Sequence, residues 1–565
     1  MSPGKMTSII DAMHRHAAQR EHDVFCHFLS AGETISIHFG SLLRDSTRFA
    51  CAFQQSGVQP GEVVIIVLNH TPDLLYSFLG AMLCGAVPTF MPYPTSKQQP
   101  GLYWRAHRTL FERIGAGALM TYCENIPLIR EHLGHLPLRL LQPSDASYCP
   151  THYGTRVQSA DAIALLQHSS GTTGLKKGVA LSHAAVIRQI ESYSAVLGLS
   201  PMDLIVSWLP LYHDMGLIAC FMLPLVTGVP VVQLDPFEWV AQPLLLFSAI
   251  NRFRGTLSWL PNFGFQHLCR AVRKQDVPDL SSMRAWINCS EPCRLETFDE
   301  FLRCFAFAGV APDRLQVCYA MAETVFAVTQ TALGQSPSRY CGDATGGAFP
   351  SSLHDSSNET SSPALLRSLL SAGAPIPGLS VRIVDGERNE VPDRCVGEIS
   401  ISGDCLFSGY FRQPEETATK LRDEWYYSGD LGFMHEGELY ITGRNEDVII
   451  VHGRNYYAHE LEYLVNQVAG VHPGRCVAVG WFRAEVGSEG VLVLAETDVT
   501  SGAELVVLAD AIKNILQNEA GLVPFDVRLV GPGWLVKTTS GKLARKTNLA
   551  KYFASYSGEP DAPST

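Results

Sequence analysis

A short apolar run, a helix with its own start and stop signals, and a second apolar run follow one another twice in the first half of the chain. That order constrains the fold more than any other feature. "GEVVIIVLNH" (61–70) is a continuous apolar run suited to a buried strand. "TPDLLYSFLGAMLCG" follows, with Thr71 as N-cap, Pro72 at the first helical position and Gly85 as stop, and "AVPTFMPY" supplies the next strand. The rhythm recurs in "DAIALLQH", in a helix beginning at Ser182 with Val186, Ile190, Tyr193 and Leu197 on one face, and in "DLIVSWLPL". Strands alternating with helices predict an α/β chain with largely parallel sheets.

At 565 residues the chain is too long for one hydrophobic core, since a unit typically takes about 100 to 200 residues. Residues 334–372 shift abruptly to Ser, Gly and Pro, too polar and breaker-rich for core, and read as an insertion. After Arg444 the pattern changes again. "HELEYLVNQV" and "ELVVLADAIKNILQNE" read as helices, and "CVAVGWF", "VLVLAET" and "DVRLVG" as strands. The expected division is a large unit over 1–445, a small α+β unit over 446–556 and a frayed tail over 557–565.

Asp plus Glu number 55 against 43 Lys plus Arg, and the net charge of -12 argues against nucleic acid or an anionic membrane as partner. The fifteen cysteines form no C-x-x-C pair and read as reduced, mostly buried thiols. The N-terminal run lacks the apolar stretch of a signal peptide, so a cytoplasmic protein is expected. The uncharged window from Met215 to Leu234 is broken by Pro224, Gly228 and Pro230. It reads as a buried helix followed by a buried strand, not a membrane span.

"HSSGTTGLKKGVALSH" (168–183) crowds small residues and hydroxyls around two lysines. Read as joining a strand to a helix, it offers backbone N–H groups of Gly171 and Gly174, the hydroxyls of Ser169, Ser170, Thr172 and Thr173, the Lys177 charge and a helix's positive end to a polyphosphate. Lys176 stands where a Walker P-loop needs glycine. On this stretch alone a glycine-rich surface loop accounts for the residues equally well.

Six further motifs follow in order: "SWLPLYHDMGL" (207–217), "NCSEPCR" (288–294), "CYAMAET" (318–324), "YYSGDLG" (426–432), "ITGRNEDVIIVHGRN" (441–455) and "KTTSGKLAR" (537–545). Together the seven resemble the signatures of the adenylate-forming superfamily, which includes acyl-CoA synthetases, luciferases and peptide-synthetase adenylation domains, and most closely its fatty acyl-AMP ligase branch. The resemblance covers nearly the whole chain, and the polar insertion lies roughly where that branch carries one. It implies a large adenylation domain of stacked mixed sheets and helices with a small mobile C-terminal domain. The implied activity is ATP- and Mg²⁺-dependent conversion of a carboxylic acid, fatty or related, to acyl-AMP and pyrophosphate. Transfer to the phosphopantetheine thiol of an acyl carrier protein, supplied in trans, would follow.

Activation joins two anions, so the site must neutralise charge and align the attacking oxygen with the α-phosphorus. The resemblance assigns Mg²⁺ to Glu323, the ribose hydroxyls to Asp430 with Arg444 assisting, and the adenine to Ser290, Glu291 and Pro292 with Tyr319, Ala320 and Met321. Lys542 would meet the charge developing on carboxylate and α-phosphate. His213 would gate the passage between nucleotide and acyl pocket, for which Trp208, Asp214, Met215 and Trp259 are candidates. Glu446 stands at the hinge, where relatives carry aspartate or lysine, and Lys176 where they carry proline. Each residue also has a plain reading: turn aspartate, core tyrosine, exposed lysine, buried helix.

Two alternatives stay open. A CoA ligase or an amino or hydroxy acid adenylating enzyme keeps the chemistry and changes acceptor or acid, with Asp214 near where amino-acid-activating relatives hold the amine. A non-catalytic nucleotide-binding scaffold would keep only the fold.

Overall fold

The computed structural model describes residues 6–94, 100–151, 158–168, 177–290, 293–340, 345–346, 369–451, 454–483, 488–537 and 543–556. Its largest sheet has nine strands, in the order Ala374–Pro375, Ala327–Gln330, Leu315–Ala320, Ala285–Cys289, Leu257–Leu260, Ile205–Ser207, Val231–Leu234, Val24–Ser30 and Glu33–His38. From Leu315–Ala320 to Val24–Ser30 every pairing is parallel. The strands outside that run pair antiparallel, so the sheet is mixed.

The first strand–helix–strand prediction holds. Val63–Ile66 pairs in parallel with Val87–Phe90, and the helix Pro72–Leu83 between them follows Thr71 in extended backbone with Pro72 at its first position. The strands Ala116–Met120 and Arg139–Leu141 complete a four-stranded parallel sheet. The second helix, His183–Val196, starts where Ser182 Oγ accepts from the Ala185 N–H at 3.1 Å. Val186, Ile190, Tyr193 and Leu197 are all buried. Burying a Val, Leu or Ile side chain contributes about 1.5–3 kcal/mol, so this face secures the helix far more firmly than its cap.

One expectation is corrected. The stretch 168–183 connects two antiparallel strands before any helix begins: Gly178–Ser182 returns beside Ile163–His168, with Ala180 opposite Leu166 and Gly178 opposite His168. Every residue of Gly178–Ser182 is buried, because this strand is covered on both faces and shows no polar alternation. The helix therefore begins a strand's length after Gly178, not directly after the strand Ile163–His168 as the sequence suggests. Residues 169–176 lie outside the described residues.

Met215–Leu234 is buried as expected: a π-helical segment Met215–Met222 runs into the α-helix Leu223–Thr227, Gly228 reverses the chain at φ 77°, and the strand Val231–Leu234 follows. Among the described residues no helix is long and apolar enough to cross a membrane.

Beyond the nine-stranded sheet, Leu379–Val384, Cys395–Gly403, Trp425–His435 and Glu438–Arg444 form an antiparallel meander. The ends of the polar insertion meet as a rung, Arg339–Tyr340 against Leu369–Leu370, and Thr345–Gly346 pairs with Cys395 and Val396. The remainder of 341–368, like the tail 557–565, lies outside the described residues. After Glu446, Ile449, Leu461, Val465, Val493, Ile512 and Leu516 close on one another in an apolar cluster of their own. It lies between the sheet Cys476–Arg483, Ser488–Glu496, Asp526–Val530 and the helices Ala458–Val465 and Gly502–Ala520. A further helix, Arg545–Tyr556, was not legible beforehand.

Candidate active site

Ligands of α/β sheets bind beyond the carboxyl ends of the parallel strands. Four of the six such ends here are Trp208, Pro261, Ser290 and Met321, each the residue after its strand. Cys289 pairs with Cys318 across the sheet, which brings Ser290 and Tyr319 side by side. Ser290 leaves its strand at φ 72°, a left-handed backbone that disfavours residues other than glycine by about 1–2 kcal/mol.

Glu323 stands in a tight turn. Met321 N–H donates to the Phe326 carbonyl at 2.9 Å, and Val325 inside the turn has φ 66°, an outlier for a β-branched residue. The Glu323 carbonyl accepts from Phe407 N–H at 2.8 Å, and its Oε1 accepts from Tyr410 Oη at 2.9 Å. Burial pushes the carboxyl above the ordinary range; hydrogen bonds from Tyr410 and Tyr426 oppose that rise, and the nearby Asp214 charge adds to it.

Asp430 is gripped on both oxygens. Tyr319 Oη donates to Oδ2 at 2.6 Å, and Arg444, its cross-strand partner, places Nε 3.0 Å from Oδ1. Its own N–H bonds Ser428 Oγ at 3.0 Å, and Ser428 in turn donates to the Ile399 carbonyl at 2.7 Å. The carboxylate beside it keeps Arg444 more firmly charged than usual. A carboxylate has about four lone-pair sites, so a grip of two donors leaves room for two more.

Lys177 enters the same neighbourhood through Tyr410. Its ammonium sits 4.8 Å from the Tyr410 ring centroid and is paired with Glu416. Its charge is therefore shared with a carboxylate, which the sequence did not indicate. Tyr410, Tyr426, Phe407 and Glu416 were all missed. Tyr426 stood in a quoted motif without a role, and the others come from a segment with no local signature.

Asp214 Oδ1 accepts from Met215 N–H at 2.8 Å, capping the π-helical segment, and the His213 ring lies 4.8 Å from that of Tyr212. Met215 is buried at the start of that segment. Trp208 and Trp259, grouped in one pocket by the sequence reading, pack against different partners. Trp208 stacks on Trp239 with ring centroids 3.7 Å apart, whereas Trp259 Nε1 donates to Tyr193 Oη at 3.0 Å. Ala320 ends its strand beside Tyr319. Glu446 lies in the turn Asn445–Asp447 with Lys546 Nζ 3.5 Å away, and Asp447 meets Arg545 Nη1 at 2.7 Å. Ser169, Ser170, Gly171, Thr172, Thr173, Gly174, Lys176, Glu291, Pro292 and Lys542 lie outside the described residues. Among the described residues no group of three His, Cys, Asp or Glu side chains could hold a metal ion.

Residues 13–411 match the family model described as AMP-binding enzyme. The medium-chain-fatty-acid–[acyl-carrier-protein] ligase JamA of Moorena producens is 27% identical, over 98% of this chain and 96% of its own. The long-chain-fatty-acid–AMP ligase FadD32 of Mycolicibacterium smegmatis is 29% identical, over 89% and 87%. A solved structure from studies of fatty acyl-adenylate ligases from E. coli and L. pneumophila superimposes with a TM-score of 0.88 at 25% identity, covering 98% of this chain and 99% of that one.

Proposed function

Because the chain belongs to the AMP-binding enzyme family, within the adenylate-forming superfamily, we propose that it activates a fatty or related carboxylic acid with ATP and passes the acyl group to the phosphopantetheine thiol of a carrier protein. In the first half-reaction a carboxylate oxygen attacks the α-phosphorus, the bond to the β-phosphate oxygen breaks, and pyrophosphate leaves. In the second the thiol sulfur attacks the acyl carbonyl, its proton goes to solvent, and AMP leaves. JamA, a carrier-protein ligase by name and similar over nearly all of this chain, supports the choice of acceptor.

The observation that carries the reading is the grip on Asp430 at the carboxyl edge of the parallel strands. Tyr319 and Arg444 hold one oxygen each and leave the remaining lone pairs for the two ribose hydroxyls. Ser290, Glu291 and Pro292, with Tyr319, Ala320 and Met321, would enclose the adenine. The 169–174 loop with Lys177 would take the phosphates. Lys542 would stabilise the charge that develops in adenylation. His213 would close the acyl side, with Asp214 and Met215 at its mouth.

Mg²⁺ fits Glu323. A hard carboxylate oxygen suits the ion, which takes its other ligands from phosphate and water, and a buried charge gains from a cation beside it. When bound, the ion would neutralise phosphate charge; Glu323 would hold it, oriented by Tyr410 Oη. The small unit after Glu446 would turn about that residue between the two half-reactions.

The test is ATP-dependent pyrophosphate release with hydroxylamine trapping, across fatty, hydroxy, aromatic and amino acids, followed by transfer to a carrier protein or to CoA. Turnover with fatty acids and transfer to the carrier are expected. Turnover confined to an amino or aromatic acid would overturn the substrate reading, and transfer to CoA alone the acceptor.

A further inference from the structure

Arg294 follows the strand that ends beside Ser290 and immediately precedes the helix Leu295–Phe305. Its side chain leaves the unit it belongs to. The guanidinium carbon lies 3.9 Å from the Tyr463 ring centroid, and Nη2 donates to the His459 carbonyl at 3.3 Å. Both partners sit on the helix Ala458–Val465, beyond Glu446. Glu460 on the same helix is buried and faces this charge, and Glu296 lies nearby on Arg294's own side.

An ordinary surface arginine lays its stem on the protein and keeps its charged head in water. Arg294 instead exchanges water for a ring face and a carbonyl, contacts that strengthen when solvent is excluded. Both come from the other unit. The contact therefore exists only while the helix Ala458–Val465 lies against the segment that carries Ser290, and any turn about Glu446 that separates them returns Arg294 to solvent. Tyr457 and Val448 add apolar contact with Leu431, Phe433 and Tyr440 at the same junction, but an apolar patch tolerates sliding, whereas a planar guanidinium on a ring face fixes one register.

We infer that Arg294 is a positioning residue that docks the helix Ala458–Val465 against the adenine side of the site and so sets how the enzyme divides its time between the two half-reactions. The docking stands on the contacts above; its effect on the half-reactions rests on the proposed function.

Two measurements on the full-length protein test it, in Arg294→Ala, Arg294→Lys, Tyr463→Leu and Tyr463→Phe. Hydrogen exchange without substrate reads docking alone. Amides of 458–465 should exchange at least tenfold faster in Arg294→Ala and Tyr463→Leu and as in the parent in Tyr463→Phe, which keeps the ring, while those of Leu257–Leu260 stay unchanged. Single-turnover rates of adenylate formation and of thiol transfer from preformed adenylate read the consequence. Their ratio should shift at least tenfold in Arg294→Ala and Tyr463→Leu, less in Arg294→Lys, and not in Tyr463→Phe. Unchanged exchange in 458–465 would overturn the docking role, and an equal fall in both half-reactions would overturn the partition role. Should no acid be activated, the proposed function fails while the exchange result still decides the docking. Should one variant fail to fold, the Tyr463 pair decides.

Discussion

Replacing Tyr410 by phenylalanine removes one oxygen and keeps the ring that Lys177 lies over. That oxygen donates to Glu323 Oε1 at 2.9 Å, and Glu323 is only 7% exposed. Burial already holds this carboxyl above its ordinary range, and the tyrosine hydroxyl is the foremost influence pulling it back. A hydrogen bond to a buried charge is worth about 1.5–3 kcal/mol. Its loss therefore raises the Glu323 pKa further. Only the ionised carboxylate can hold a cation, so the deficit belongs to low pH and disappears once both proteins are deprotonated. The assay is the pH profile of kcat/KM for ATP, which reports the ionisations of the free enzyme. Its acid limb should move to higher pH in Tyr410→Phe, with the plateau above it largely retained. A limb that stays in place while the rate falls equally at every pH would refute the reasoning, because the hydroxyl would then not be what keeps Glu323 charged.

Asp430→Asn removes the charge that Tyr319 and Arg444 grip, and the KM for ATP should rise about 10- to 100-fold while that for the acid stays put; an equal rise in both, by initial-rate kinetics, would count against a ribose contact. Lys542→Ala should lower adenylate formation about 10²- to 10³-fold and spare thiol transfer from chemically prepared acyl-AMP; undiminished adenylation would remove Lys542 from the site. Glu460 is pushed up from 4.5 to about 7 by burial, partly offset by Arg294. Stability from this group is thus fully present below about 4.5 and lost as pH rises through about 7, on the order of 3 kcal/mol in all. The melting temperature should accordingly fall less between pH 5 and 8 in Glu460→Gln than in the parent, and parallel profiles would show that Glu460 titrates elsewhere.

Where a sequence signal is local, the chain was readable. The buried face Val186, Ile190, Tyr193, Leu197 and the capping serine at its start follow from spacing within one helix, and the Thr71–Pro72 start of the earlier helix is equally self-contained. The strand Gly178–Ser182 escaped because it is apolar on both faces and short enough to pass for the lead into a helix. Tyr410 reaches Glu323 from 87 positions away, and nothing in its neighbourhood marks it as a partner. Trp208 and Trp259 looked alike as candidate pocket walls because composition carries no information on which side of a sheet a side chain leaves; the strand pairing decides that. Asp430 and Arg444, by contrast, stand in ordered motifs that place them together, and they do pair, whereas Tyr410, the partner of Glu323, stands in none.

The rung between Arg339–Tyr340 and Leu369–Leu370 also has a meaning for how such a chain can change over generations. Because the rung already holds Arg339 beside Leu370 and Tyr340 beside Leu369, the number of residues between the two strands can change without drawing those strands apart, since the entropy of closing a loop grows only slowly with its length. That makes the rung a natural splice point for grafting a foreign module.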